Sequence, residues 1–341
     1  MKYLSSLLFM ILISNTFTFM LSYNPNISPN NGPLLNIVTT TEIIASIVDF
    51  VGFPYVNTTY VLPEGADIHE YSLSPIDVKK IEMADLIVLI NSSFFSLEKE
   101  IREYAEEYGK LILDYNNYSM EILSVPNFGK NFHGIWLYPD NAYEIANATY
   151  RTLCMLLPEK AEVFRRNIEE FKRKIDALKN FLIEISTNLG IIGKNAVVAV
   201  PGVAYVVESF GMHVIGTLMK GPGITVSPSK LSEYIQRAKN GQIVFIACPE
   251  HLKNTKIGEL AKEFSNEANI PIVYFRIFSI GDLKDYFALM TYNAAMLNNA
   301  FSKTKYSTSN YDIFYLLIFV LIAIILVEGI IIWRYRKYSG E

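Results

Sequence analysis

"PEKAEVFRRNIEEFKRKIDALKNFLIEIST", residues 158–187, decides the architecture. Apolar residues fall at Phe164, Ile168, Phe171, Ile175, Leu178, Leu182 and Ile185, in alternating steps of four and three. That spacing marks one apolar stripe along a single helix. Pro158 suits the first helical position, and Glu159 and Glu162 suit the positive end of the helix dipole. Thirty residues rising 1.5 Å each give roughly 45 Å, enough to pack across two domains. The stripe also fits a heptad pattern, but it spans barely three and a half heptads in mid-chain, which favours packing within the chain over a coiled-coil dimer.

On either side the chain alternates short apolar runs with helical segments. Before the helix come "NIVTT" (36–40), "TTYVLP" (58–63), "DLIVLI" (85–90) and "KLILDY" (110–115), with helices from Ser74–Pro75, over 97–108 and over 140–156. After it come "NAVVAVP" (195–201), "HVIG" (213–216), "QIVFIAC" (242–248) and "IPIVYFR" (270–276), with helices near 203–210, 228–238, 253–268 and 281–300. All-apolar runs bounded by polar residues are expected of parallel strands covered on both faces. The expected fold class is α/β: two similar lobes with parallel sheets, 36–156 and 188–302, joined by one long backbone helix over 157–187. Ligands of such open sheets bind beyond the carboxyl ends of the strands, here in the cleft between the lobes.

The ends of the chain point to a membrane. Residues 1–22 carry a lysine and then an apolar run, as in a signal peptide or signal anchor. No cysteine follows that run, so a lipoprotein anchor is not expected. Residues 23–35 read as a tether and 303–312 as a polar stalk. The run 313–333 is apolar apart from Glu328 and Gly329, long enough to cross about 30 Å of hydrocarbon, and "RYRK" at 334–337 follows it. The expected topology is a single C-terminal transmembrane helix, a cytoplasmic tail over 334–341 and an extracytoplasmic main domain. Glu328 lies near the cytoplasmic end, where it can snorkel. Sequons at Asn26, Asn57, Asn91, Asn117 and Asn147 fit that placement. A net charge of −4, with 30 basic against 34 acidic residues, excludes nucleic acid as a partner. Cys154 and Cys248 are too few for a disulfide framework and are expected reduced.

Of four histidines, His69 and His133 fall in loops at the expected cleft rim. A loop histidine is commonly a solvated or hydrogen-bonded structural residue, and neutral imidazole is also the commonest ligand of zinc and similar ions. His213, at the start of a strand, reads as structural. "LPEGADIHEYSLSPIDVKKIEMADLIVLINSS" (62–93) and "HGIWLYPDNA" (133–142) resemble signatures of the metal-binding solute-binding proteins of zinc and manganese ABC importers, and 157–178, 204–216 and 289–300 are similar to later segments of that family. The resemblance is collinear over about 36–302. It implies capture of one divalent ion, zinc or manganese, between the lobes for an ABC permease, with His69 and His133 as the first two ligands. The family's second-lobe ligands have no counterpart: Val200 or Pro201 stands in one place and Phe278 in the other.

Two imidazoles alone leave the 2+ charge uncompensated, and zinc sites generally complete four positions. Three readings follow. Cys248, Glu250, His251 or Asp282 completes the shell, the cysteine as a thiolate; the competing reading makes Cys248 a small buried hydrophobe and Glu250 and His251 solvated residues at a helix start. Alternatively the ion is lost and a small organic or chelate ligand sits among Trp136, Tyr138, Tyr205 and Phe278, residues that serve equally well in a core. A two-histidine zinc hydrolase is the third reading. No HExxH, nucleophile triad or GxGxxG motif supports an enzyme.

Overall fold

The computed structural model describes residues 34–302, apart from 222, 280 and 282. The expected signal, tether, stalk and transmembrane segments lie outside the described residues. Among the described residues no helix is long and apolar enough to cross a membrane.

Two four-stranded sheets form the frame. In the first lobe, β1 (Leu35–Thr39), β2 (Val56–Tyr60), β3 (Leu86–Val88) and β4 (Leu111–Leu113) lie in the order β2-β1-β3-β4. In the second, β7 (Asn195–Val198), β8 (His213–Thr217), β11 (Ile243–Pro249) and β12 (Ile272–Phe275) lie in the order β12-β11-β7-β8. Every pairing in both sheets is parallel. Two short antiparallel ribbons complete the strands, β5 (Ser124–Val125) with β6 (Gly129–Lys130) and β9 (Met219–Gly221) with β10 (Ile224–Thr225).

Helices α1 (Glu42–Gly52), α2 (Pro75–Met83), α3 (Ser96–Glu107) and α4 (Pro139–Leu156) belong to the first lobe. Helix α2 begins as its sequence dictates. Ser74 and Asp77 form a reciprocal capping box and Pro75 takes the first helical position.

The long helix α5 spans Ala161–Leu189, 29 residues, or roughly 43 Å at 1.5 Å per residue. It starts three residues later than Pro158 suggests, because Pro158–Lys160 winds as a 3-10 turn. Its buried face carries Phe164, Ile168, Phe171, Ile175, Leu178 and Leu182 as the stripe requires, but the next buried place goes to Ser186, with Ile185 half-buried. Gly190 closes the helix in the left-handed conformation. One apolar core runs without a break from Ile37 and Val88 of the first lobe, through this stripe, to Val198, Phe210 and Phe275 of the second. The lobes therefore share a core instead of hanging on a flexible hinge, and α5 packs within the chain.

In the second lobe, α6 (Ala204–Ser209), α7 (Pro228–Lys239), α8 (Lys256–Ala268) and a helix over 286–302 cover the sheet. A second apolar cluster lies between that sheet and α7 and α8, around Val197, Tyr234, Ile246 and Phe264.

Candidate metal site between the lobes

Two loops carry the site histidines, and both are built by the same local device. After β2 the chain stays paired to β1 through the amides of Val61 and Leu62, which donate to Thr39 O (3.1 Å) and Thr40 O (2.9 Å). It then turns at Asp67, whose Oδ1 accepts the N–H of His69 at 2.8 Å. In the second loop Asn131 Oδ1 accepts the N–H of His133 at 3.0 Å. Such Asx turns replace a backbone partner with a side chain and fix the direction of the residue two places on. Gly134, at φ 73°, then turns the chain into a 3-10 turn at Ile135–Leu137 and on into α4.

The two rings converge: the His69 and His133 centroids are 5.5 Å apart, tilted by 52°. Aromatic side chains surround them. Phe94 meets His133 edge-on at 4.9 Å, Phe128 lies 5.8 Å from it, and Phe95 lies 5.9 Å from His69 and 6.1 Å from His133. Phe94 and Phe95 follow the turn at the end of β3. A fully buried carboxylate holds that turn: Glu98 accepts hydrogen bonds from Ile90 N (3.0 Å), Asn91 N (2.6 Å) and the Thr40 hydroxyl. Burial pushes the Glu98 carboxyl up to about 7, against the pull of those donors. His133 is half-buried in the cage, and its Nδ1 is buried with no hydrogen-bond partner. Burial, reinforced by the neighbouring His69, lowers its pKa to about 4, against an opposing effect of the Asp67 carboxylate. The ring is therefore neutral at physiological pH with a lone pair unused, the state a metal ligand requires.

The spacing suits one shared ion. With Zn–N of about 2.0–2.1 Å and about 1.1 Å from nitrogen to ring centre, two imidazoles at a tetrahedral angle stand about 5 Å apart.

The second lobe closes over this pair with apolar surface. Val200 and Pro201 are buried, and Gly202 lies so near that a Cβ there would sit 3.8 Å from His133 Cβ. Asn131 Nδ2 donates to Pro201 O at 2.9 Å. Trp136 and Phe278 line a small cavity of about 20 Å³, together with Gly65 and Ala66 of the His69 loop. Above it Glu64 Oε1 accepts the N–H of Gly281 at 2.7 Å.

Several expected participants stand elsewhere. Cys248 is wholly buried in the apolar cluster behind the second sheet; its Sγ reaches only Pro249 O at 3.5 Å, and burial pushes the thiol up to about 12. That corrects the thiolate expectation, since a neutral thiol facing a hydrophobic layer is no ligand for a cleft ion. Glu250 is engaged by Arg276 Nε at 2.5 Å and Tyr292 Oη at 3.1 Å, and Arg276 in turn lies over the Tyr292 ring at 4.4 Å. Asp282 lies outside the described residues. Tyr205 is fully buried. Its hydroxyl donates to Asn131 O at 2.6 Å and accepts from Leu123 N at 3.1 Å, tying the lobes together, with the Tyr138 ring 6.0 Å away and tilted by 59°. His213 is exposed, 3.9 Å from Glu208. Among the described residues no three His, Cys, Asp or Glu side chains form a metal cluster. The sequence reading missed Asp67, Asn131 and the phenylalanine cage. The repeated Asx-x-His in "DIH" and "NFH" is the signal that could have found the first two.

Comparison with known proteins agrees with this architecture. The family described as zinc-uptake complex component A, periplasmic, matches residues 37–300. A putative metal-binding protein of Thermotoga maritima is 30% identical over 209 residues, covering 61% of this chain and 72% of that protein. The manganese ABC transporter substrate-binding lipoprotein PsaA of Streptococcus anginosus is 24% identical over 298 residues, covering 80% and 91%. Among solved structures, ZnuA superposes with a TM-score of 0.64 at 18% identity over 79% of this chain and 99% of that one. The Pseudomonas aeruginosa protein FpvC, solved with Mn²⁺, gives 0.64 at 19% identity over 80% and 99%. The match over 37–300 makes this chain a member of the periplasmic zinc-uptake component A family, the metal-binding solute-binding proteins of ABC importers.

Proposed function

We propose that the chain captures a divalent cation of the zinc and manganese class, with His69 and His133 as its first-lobe ligands, and presents it to an ABC permease. The observation that carries this is the convergence of two imidazoles at 5.5 Å with Nδ1 of His133 left without a partner. A donor set of neutral nitrogens, with Cys248 and Glu250 otherwise engaged, favours zinc over manganese, which prefers carboxylate and water. The cavity that Trp136 and Phe278 line, about 20 Å³, is about the size of one water, so those residues give the organic-ligand reading no support. The function is capture and release, without turnover. The shared core and α5 limit lobe motion to a small tilt, so release depends on movement of the His69 and His133 loops at the permease.

The same proposal places 36–156 and 188–302 as the two lobes, 1–22 as a signal segment and 313–333 as a C-terminal transmembrane helix with residues 334–341 in the cytoplasm. The apolar run and its basic flank support that anchor. Relatives such as PsaA of Streptococcus anginosus are named lipoproteins, so this chain would reach the same surface by a different attachment.

Elemental analysis of the full-length chain in mild detergent, beside His69→Ala, His133→Ala and His213→Ala, tests the metal. The expected result is one ion per chain in the wild type and His213→Ala, and none in the other two. A wild type without metal after exposure to excess zinc and manganese overturns the proposal.

A further inference from the structure

The first lobe offers two ligands, and the second lobe approaches them with Gly202, beside His133, and with Phe278, on the cavity shared with the His69 loop and Trp136, neither of which carries a donor. The order of the second sheet places one histidine between those positions. Strand β11 lies between β7 and β12, with Ala247 opposite Val198 on one side and Pro249 opposite Phe275 on the other. The chain leaves β11 at Pro249 and turns at once through Glu250–Leu252. Glu250 is consumed by Arg276 and Tyr292, so the residue this turn presents to the cleft is His251. Its ring packs on Phe278 at 5.2 Å, and Phe278 shares the small cavity with Gly65 and Ala66 of the His69 loop and with Trp136 of the His133 loop.

We propose that His251 is the second-lobe ligand of the captured ion, approaching the His69–His133 pair across Phe278 when the ion binds. No third donor is grouped with the pair in the described arrangement, so binding must draw the turn at 250–252 toward the first lobe. His251 is exposed, so such a movement disturbs its contact with Phe278 and not the core. Three imidazoles and one open position are a common coordination for zinc. This rests on the metal-binding reading of His69 and His133 and adds to it the residue that makes the site span both lobes.

The test is zinc-edge X-ray absorption of the full-length zinc-loaded chain, with zinc affinity by competition against a chromophoric chelator, for wild type, His251→Ala, His69→Ala and the surface control His213→Ala. The expected result is three imidazoles in the wild type and two in His251→Ala, with zinc bound at least tenfold more weakly and an unchanged melting temperature of the metal-free protein. A wild type with two imidazoles and an affinity untouched by His251→Ala overturns the role of His251 and leaves the pair standing. A wild type that binds no zinc overturns both readings at once. Loss of zinc in His69→Ala alone, with His251→Ala normal, again removes only His251.

Discussion

Gly134 is the point where the His133 loop presses on the second lobe, and Gly134→Ala measures how much that contact holds. A Cβ at this position would lie 2.2 Å from Gly202 O and 3.1 Å from Gly202 C, both backbone atoms of the other lobe. Ordinary contact begins near 3.4 Å, so the two backbones must separate by about 1.2 Å, the difference between 3.4 and 2.2. A left-handed alanine, required by φ 73°, costs about 1–2 kcal/mol by itself. The displacement also stretches the Asn131 Nδ2 to Pro201 O bond (2.9 Å) and the Tyr205 Oη to Asn131 O bond (2.6 Å), each contributing about 1 kcal/mol. The sum is about 3–4 kcal/mol. Gly109→Ala isolates the conformational part, because Gly109 also has positive φ (64°) and nothing within 4 Å of its would-be Cβ. Urea unfolding of the metal-free protein, followed by circular dichroism, should show a loss of about 1 kcal/mol for Gly109→Ala and about two kcal/mol more for Gly134→Ala. Equal losses for the two variants would refute the claim that the lobes touch at Gly134.

Three more outcomes follow from the same geometry. His133 holds its proton less tightly when folded (about 4) than in its ordinary state (6.5), so the unfolded chain binds the extra proton and stability falls as pH drops from 6.5 toward 4. At pH 4.5 the wild type should have lost about 2–3 kcal/mol more than His133→Ala, relative to pH 7.5, in metal-free urea titrations; parallel pH profiles would contradict it. Glu98 titrates in the opposite sense, its raised pKa favouring the fold at low pH, so the comparison with His133→Ala is needed to separate the two. Glu98→Gln keeps one acceptor oxygen for the Asn91 N–H and turns the other into an amide donor facing the Ile90 N–H, and should destabilise by about 1–3 kcal/mol, read by thermal unfolding. Tyr205→Phe removes the donor to Asn131 and the acceptor of Leu123 N–H and should lose about 1–3 kcal/mol, with weaker metal affinity because Asn131 also orients His133.

The α/β frame was legible because its signals are long and repeated. The seven-residue stripe of α5 and the all-apolar runs around Val88 and Val197 leave no other arrangement that buries them. The failures have physical reasons. Ser186 replaces Ile185 on the buried face because its hydroxyl bonds Ile183 O at 2.9 Å, satisfying in place what the pattern counts as polar. Ribbons β5–β6 and β9–β10 have two or three residues per strand, too short to show a period of two. Cys248 and Tyr205 could each be read as site or core, and burial decided for the core, which a sequence does not display at a single position. The His69–His133 pair was visible through its motifs, whereas the cage of Phe94, Phe95 and Phe128 joins it only through folding.

The central claim is that one divalent ion sits between two imidazoles at the lobe boundary. Anomalous diffraction at the zinc edge, from crystals of the protein grown with zinc, locates the ion directly. The account predicts a single strong peak about 2 Å from a ring nitrogen of both His69 and His133. A peak bound to only one of these rings, or a fully ordered cleft with no peak at saturating zinc, would contradict it.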